Sequence, residues 1–136
     1  MKQLEVAADV KQLDRVQDFV REQLEAYDVD PKVMFQLELA VEEIFTNISS
    51  YAYNPVVGQA MINCYVENEP LRVTIQFMDH GKPFDPLAGE DADTSEDALM
   101  ERTGGLGIFL VKKNMDDVSY SYEDGKNVLT ISKTLT

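Results

Sequence analysis

The sequence predicts an α/β two-layer sandwich, in which a mixed, largely antiparallel sheet is covered on one face by about three helices. Three observations lead to this fold class. Apolar residues recur at helical spacing in two long segments near the N-terminus and in one short segment further on. Apolar and polar residues alternate in two pairs of segments that turn sequences join, as in β-hairpins. Hairpin strands with a separate group of helices pack as helices on one face of an antiparallel sheet.

The N-terminal half is predicted to form a short extended start followed by two helices. Asp9 is a candidate N-cap for the first helix, whose apolar positions continue to Leu24. Asp30 followed by Pro31 is a second start signal, because proline is favoured at the first helical position. Apolar residues then step by three and four, so the second helix is predicted to run from about Pro31 to Ala52.

The C-terminal half is predicted to form two hairpins that flank a loop and a helix. Alternating segments at 60–66 and 71–77 make the first hairpin, which stops at Asp79. Residues 79–103 lack periodicity, and a loop of this length in a compact domain is usually functional or mobile, such as a lid. A short apolar helix then ends near Asn114, and the last hairpin turns at Asp124-Gly125.

The length and composition indicate one domain of ordinary size. The chain has 136 residues and no internal repeat, so residues 1–136 are expected to share one hydrophobic core. No apolar run approaches the roughly 20 residues that a membrane helix needs. The only cysteine, Cys64, cannot form an internal disulfide, which favours a cytoplasmic location and a role for this residue in the core.

The charge of the chain excludes some partners. A formal net charge of −13 repels phosphate backbones and anionic lipids, so we expect neither nucleic acid nor membrane as a partner. A nucleotide bound to this chain has to be held by local devices, namely backbone amides, a metal ion and a few cations.

The first of three polar clusters lies on the predicted second helix. Glu43 and Asn47 are four residues apart, so their side chains lie on the same helix face, beside the apolar stripe. Carboxylate and carboxamide oxygens are the ligands that Mg²⁺ prefers, and a carboxylate can also deprotonate an attacking hydroxyl. Taken alone, the pair is more typical of a solvated helix face.

The second cluster follows an apolar strand. Asp79 at the strand end can accept a hydrogen bond from an exocyclic amine in a pocket, and Gly81 lets the backbone approach a flat ring. The alternative is a plain turn, since Asp, Gly and Pro are common turn residues. His80 is the only histidine, and we expect it to face solvent rather than to bind a metal.

The third cluster is rich in glycine and opens the short apolar helix. Three glycines in four positions expose backbone N–H groups, and the helix turns the positive end of its dipole toward them, which makes an anion site. The cationic residue in front of them can add a charge-assisted contact to a terminal phosphate. The cluster consists of Arg102, Thr103, Gly104, Gly105, Leu106, Gly107 and Ile108.

Taken together, these residues resemble those of the Bergerat-fold ATPases, the group that includes histidine kinases and DNA gyrase. The chain is most similar to the anti-sigma-factor serine/threonine kinases of bacterial partner-switching systems. Residues 39–47 resemble the N-box of that family, and residues 79–85 its adenine-binding box. Residues 104–111, followed by 115–118, resemble its most specific signature. The resemblance extends over nearly the whole chain, although Tyr51 stands where relatives commonly carry a histidine.

The resemblance implies a ligand or catalytic role for each of these positions. ATP and Mg²⁺ are the implied cofactors, with Glu43 as the catalytic base and Asn47 as the metal ligand. Asp79 is implied to bind the adenine amino group, with Gly81 closing the ring pocket and Asn127 nearby. The stretch from Thr103 to Ile108 is implied to line the phosphates under a lid at 85–103, with Arg102 beside them.

The implied function is a protein serine/threonine kinase that phosphorylates an anti-sigma-factor antagonist. Family analogy adds a sigma factor as a second partner and a homodimer. An alternative from a different class is a module that sequesters a partner according to ATP or ADP occupancy, without kinase turnover. A detached histidine-kinase catalytic domain is less favoured, because no dimerisation helix pair with a phosphorylatable histidine precedes the fold.

Overall fold

A computed structural model of the chain describes residues 2–52, 58–83, 85–87 and 105–135. Within them, the elements follow the predicted order of strand, two helices, two strands, helix and two strands. The strands are β1 (Lys2–Ala7), β2 (Gln59–Glu67), β3 (Arg72–Asp79), β4 (Asp117–Glu123) and β5 (Lys126–Thr134). The α-helices are α1 (Leu13–Leu24), α2 (Pro31–Asn47) and α3 (Gly105–Asn114). Apart from residues 85–87, the predicted lid at 85–103 lies outside the described residues.

The five described strands form one sheet in the order β1-β2-β3-β5-β4. Each neighbouring pair is antiparallel, and both predicted hairpins, β2–β3 and β4–β5, are present. The second hairpin turns at Asp124 and Gly125, whose φ values of 52° and 76° are those of a type I′ turn. The pairing of β3 with β5 places Asp79 directly opposite Asn127, and this register builds the candidate site.

The hydrophobic core lies between one face of the sheet and the helices. Side chains that alternate along β2, β3 and β5 are buried together with the apolar faces of α1, α2 and α3. The two-layer sandwich predicted from the sequence is therefore confirmed. None of the helices in the described part of the chain is long and apolar enough to cross a membrane. The largest fully buried side chains include Phe45, Phe77, Leu24, Leu37, Ile44, Ile62, Ile75 and Ile131.

Both predicted helix starts are capped. Oδ1 of Asp30 accepts a hydrogen bond from the backbone N–H of Lys32 at 2.8 Å, and Pro31 is the first residue of α2. Oδ1 of Asp9 accepts from the backbone N–H of Lys11 at 2.9 Å, but it caps a short 3-10 turn that precedes α1.

The second helix changes form near its end. The sequence predicts a continuous helix to about Ala52, whereas α2 ends at Asn47 and a π-helical segment follows over Ile48–Ala52. The backbone N–H of Ile48 is shared between the carbonyls of Ile44 and Phe45. Apolar spacing alone does not distinguish the two forms, because both are helical and Ile48 continues the apolar steps of three and four. Such wide turns are frequent at functional sites, and here the change begins directly after Asn47.

Candidate nucleotide-binding site

A cavity lies between the end of α2, the paired ends of β3 and β5, and α3. It holds about 490 Å³ of empty space, part of it open to solvent. The lining is mostly apolar, with a few polar groups. The apolar residues are Ile44, Ile48, Phe77, Pro86, Ile108 and Leu129, and the polar ones are Asn47, Asp79, Lys82, Tyr120 and Asn127.

Asp79 is the buried carboxylate of this cavity. It is the last residue of β3, at the strand end that the sequence predicts, and it is 4% exposed. Oδ1 accepts hydrogen bonds from the backbone N–H of Gly81 at 2.9 Å and from Nδ2 of Asn127 at 2.9 Å. The first is the usual local bond from an Asp to the backbone two residues on. These donors compensate part of the cost of burying the charge.

Asn127 connects β5 to the turn that follows β3. Besides Asp79, its Nδ2 donates to the carbonyl oxygen of Lys82 at 2.8 Å and lies 3.4 Å from that of Gly81. Its Oδ1 accepts a hydrogen bond from the hydroxyl of Tyr120. The side chain of Asn127 therefore holds the loop end of the cavity in a fixed position relative to the sheet.

Glu43 and Asn47 line different cavities. Asn47 lines the same cavity as Asp79. Glu43, one helical turn earlier, lines a neighbouring cleft of about 250 Å³ between α2 and α3, together with Leu110 and Asn114. The predicted common helix face is consistent with their spacing, but the packing of α3 separates the two side chains. Their roles in proton transfer and metal binding remain predictions.

The glycine-rich stretch is only partly described. Helix α3 begins at Gly105, and Ile108 in its first turn lines the cavity beside Asp79. This places the N-terminal end of the helix at the cavity, as the sequence predicts for an anion site. Arg102, Thr103 and Gly104 lie outside the described residues. The predicted roles of these positions, like those of Leu106 and Gly107, remain predictions.

Asp79 and Lys82 are the charged residues among the described residues that line the cavity. Among the described residues that line it, Lys82 is the only cation, and its side chain is exposed. No group of three His, Cys, Asp or Glu residues in the described part of the chain is placed to hold a metal ion.

The single cysteine is part of the core. Cys64 on β2 is 1% exposed, and burial raises the pKa of its thiol to about 11. A thiol with so high a pKa is a poor nucleophile at neutral pH. The sequence-based reading of Cys64 as a core residue is confirmed.

Sequence reasoning missed Tyr120 and Lys82 as lining residues. The predicted last hairpin contains a signal for Tyr120, because a two-residue turn at 124–125 fixes the register of β4 on β5. In that register Tyr120 lies opposite Leu129, two positions from the partner of Asn127. Lys82 is next to Gly81 in the second cluster, but nothing in the local pattern indicates which side chains of a turn face a cavity.

The fold is that of a histidine kinase-like ATPase. The family model described as the histidine kinase-like ATPase domain matches residues 6–133, and the chain belongs to this family. The family resemblance inferred from the three clusters is thereby confirmed.

The chain is similar in sequence to curated serine-protein kinases. The serine-protein kinase RsbW of Listeria monocytogenes serovar 1/2a is 34% identical over 98 residues, which cover 68% of this chain and 61% of that protein. The protein of the same name from Staphylococcus aureus strain MRSA252 is 35% identical over 103 residues, covering 71% of this chain and 62% of its own length. The chain thus spans less than two thirds of the length of these relatives.

Solved structures show the same fold. The structure of the RsbU and RsbW domains of Rv1364c from Mycobacterium tuberculosis superposes with a TM-score of 0.66 and 14% identity, covering 99% of this chain and 33% of that one. The histidine kinase AdeS of Acinetobacter baumannii gives a TM-score of 0.55 and 16% identity, covering 100% and 70%. At these identities the likeness concerns the fold alone.

Proposed function

We propose that this chain is an ATP-dependent serine/threonine protein kinase that phosphorylates an anti-sigma-factor antagonist in a partner-switching pathway. The observation that carries the proposal is the convergence of Asn47, Asp79 and Asn127 on one cavity at the start of α3. The names of the curated relatives support the kinase reading. We further propose that residues 1–136 act as one ATP-binding kinase domain, and that the reaction takes place in the cytoplasm.

Adenine is the part of ATP for which the cavity supplies most contacts. Ile48, Phe77 and Leu129 provide apolar walls for a flat ring. Both hydrogen bonds that Asp79 accepts within the described residues use Oδ1, so Oδ2 is left as the acceptor for the exocyclic amine of the ring. Gly81, whose backbone N–H donates to Oδ1, closes the pocket without a side chain.

The triphosphate would extend toward the N-terminal end of α3. Exposed backbone N–H groups and the helix dipole favour an anion there, in a chain whose net charge of −13 offers no broad cationic surface. Arg102 and the residues from Thr103 to Gly107 belong to this proposed phosphate site. The carboxamide of Asn47 fits Mg²⁺, which usually binds one or two protein oxygens and completes its shell with phosphate and water. When bound, Mg²⁺ supplies charge neutralisation on the phosphates.

Phosphoryl transfer requires little covalent chemistry from the protein, mainly positioning and electrostatic stabilisation. In the proposed reaction, a serine oxygen of the antagonist bonds to the γ-phosphorus, and the bond to the oxygen bridging the β- and γ-phosphates breaks, which releases ADP. Glu43 is the candidate acceptor for the serine proton. It precedes Ile44, which lines the cavity, and it lies one helical turn before Asn47 on α2. A sigma factor as second partner and a homodimer rest on family analogy.

The proposal is tested by phosphate transfer from γ-labelled ATP to a purified candidate antagonist. The wild-type protein is expected to label one serine, and Glu43→Gln to reduce the rate at least about a hundredfold while ATP still binds. Glu67→Gln removes an exposed carboxylate at the end of β2 and is the matched control, which should keep the wild-type rate. ATP binding without transfer by the wild-type protein would instead identify a nucleotide-dependent sequestering module.

A further inference from the structure

We propose that Tyr120 is a positioning residue for adenine recognition, which acts through Asn127 on Asp79. The inference rests on the proposed function, because it concerns the same nucleotide site. Tyr120 itself is assigned no contact with ATP. Its role is to fix which end of the Asn127 side chain faces the buried carboxylate.

The sheet register brings the three side chains together. Asp79 on β3 is the direct cross-strand partner of Asn127 on β5. Tyr120 on β4 opposes Leu129, and is therefore diagonal to Asn127 on the same face of the sheet. Diagonal neighbours in an antiparallel sheet are within reach of a long aromatic side chain. The hydroxyl of Tyr120 donates to Oδ1 of Asn127, which completes the chain of contacts.

The orientation of the Asn127 amide decides whether it supports or opposes the charge on Asp79. An asparagine side chain has nearly the same shape when its oxygen and nitrogen exchange places, so the hydrogen-bond partners determine which end points where. Nδ2 of Asn127 faces three acceptors, namely Oδ1 of Asp79 at 2.9 Å and the carbonyl oxygens of Lys82 at 2.8 Å and Gly81 at 3.4 Å. Oδ1 of Asn127 faces the donor hydroxyl of Tyr120. A flipped amide would place oxygen against three acceptors.

Loss of the tyrosine hydroxyl removes the donor that holds this orientation. Oδ1 of Asn127 then loses a partner in a side chain that is only 7% exposed, which makes alternative rotamers of Asn127 more competitive. Each such rotamer withdraws one of the two donors from Oδ1 of Asp79. The acceptor oxygen that would meet the adenine amine then becomes less well fixed. The consequence is specific to ligands that carry an amine at this position.

The test compares ATP with purine ribonucleoside triphosphate, which lacks the 6-amino group. Calorimetric titrations with magnesium are expected to show that Tyr120→Phe weakens ATP binding by about five- to tenfold, but binding of the amine-free analogue by less than about twofold. Tyr122→Phe removes a hydroxyl from an exposed tyrosine two residues along the same strand and is the matched control. It should leave both affinities unchanged. Equal losses for the two ligands in Tyr120→Phe would indicate a merely structural role and overturn the inference.

A double-mutant cycle tests the route through Asn127. Because the proposed effect of the Tyr120 hydroxyl passes through this residue, Tyr120→Phe combined with Asn127→Ala is expected to bind ATP as weakly as Asn127→Ala alone. Additive losses would contradict the proposed route. If wild-type protein bound ATP and the analogue equally well, the adenine contact of Asp79 would be wrong. Failure of the wild type to bind either ligand would refute the proposed function itself.

A spectroscopic measurement on the wild-type protein covers the case in which Tyr120→Phe does not fold. The two side-chain amide protons of Asn127 are expected to exchange slowly with solvent and to resonate away from the positions of an unstructured asparagine, because both are hydrogen-bonded. Fast exchange at unstructured positions would overturn the inference.

Discussion

Asp79 and Asn127 face each other across β3 and β5, with the amide nitrogen of Asn127 2.9 Å from Oδ1 of Asp79. The carboxylate is 4% exposed, and a buried carboxylate is costly unless hydrogen bonds compensate it. Asn127 and the Gly81 backbone both donate to the same oxygen. A ligand amine would donate a hydrogen bond to the second oxygen, Oδ2. Binding of such a ligand would therefore lower the cost of burying the carboxylate, which favours ligands that carry an amine at this position.

Replacing Asp79 by asparagine is expected to weaken ATP and ADP binding together, by at least about thirtyfold, or about 2 kcal/mol. The two nucleotides share adenine, so both lose the acceptor for the amine. The amide of the new asparagine can also donate a hydrogen bond to the carbonyl of guanine, which should raise the affinity for GTP. The ratio of ATP affinity to GTP affinity should therefore fall by more than the ATP affinity itself. Calorimetric titration of the three nucleotides measures this.

The matched control is Asp28→Asn, which removes an exposed carboxylate at a position with φ 42°, a conformation that asparagine tolerates. All three affinities should stay unchanged in this variant. If Asp79→Asn kept the wild-type ATP affinity, the carboxylate of Asp79 would not contact adenine.

The buried thiol of Cys64 is expected to resist alkylation in the folded protein. Its pKa of about 11 leaves roughly one thiol in a thousand ionised at pH 8, and the thiolate is the reactive form. Labelling with iodoacetamide at pH 8 should therefore be at least about a hundredfold slower in native protein than in protein unfolded by urea, as followed by mass spectrometry. Prompt labelling under native conditions would contradict the burial of this side chain.

The elements were predictable where local chemistry fixes them. Asp30 with Pro31 determines where α2 starts, and Asp124 with Gly125 determines the last turn, because each pair has a conformational preference independent of the rest of the fold. The position of Asp79 at the end of β3 was predictable for the same reason, since the alternation of apolar residues shows locally where a strand ends.

The remainder of the site depends on contacts between distant segments. The spacing of Glu43 and Asn47 predicts a common face, but the packing of α3 determines which cavity each side chain lines. Likewise, Tyr120 reaches Asn127 only because β4 pairs with β5, and Asn127 reaches Asp79 only because β5 inserts beside β3. Alternation within a strand contains no information about the order of strands in a sheet. The π-helical segment after Asn47 could not be predicted either, because its apolar residues keep the spacing of an α-helix.

Asp116 is expected to make stability depend on pH in the acid range. The backbone N–H of Thr134 donates to Oδ2 of Asp116 at 2.6 Å, and this bond lowers the pKa of the carboxyl below its ordinary value of 3.8. A lowered pKa in the folded state gives stability that is present above pH 3.8 and is lost as the pH falls below it.

Asp116→Asn keeps an oxygen acceptor but no titratable proton. It should reduce the free energy of unfolding at pH 7 by less than about 1 kcal/mol, because the side chain is exposed. The difference from wild type should shrink as the pH is lowered from about 4 to 2, as measured by urea denaturation. Asp124→Asn, in the exposed turn, is the control and should show no such convergence. A difference that stayed constant down to pH 2 would rule out the ionised carboxylate as its source.

Asn47→Ala is expected to remove the magnesium-dependent part of nucleotide binding while sparing the rest. With EDTA present, wild type and variant should bind ADP equally, because the adenine contacts around Asp79 are intact. Magnesium should increase the ATP affinity of the wild type. In the variant this increase should be at least about tenfold smaller, because the ion loses the protein oxygen that Asn47 supplies and is bound less tightly. Asn68→Ala, in the exposed turn between β2 and β3, should respond to magnesium like the wild type. Equal magnesium gains in Asn47→Ala and wild type would show that the carboxamide is not a ligand of the ion, and would leave Asn47 as a wall of the ring pocket only.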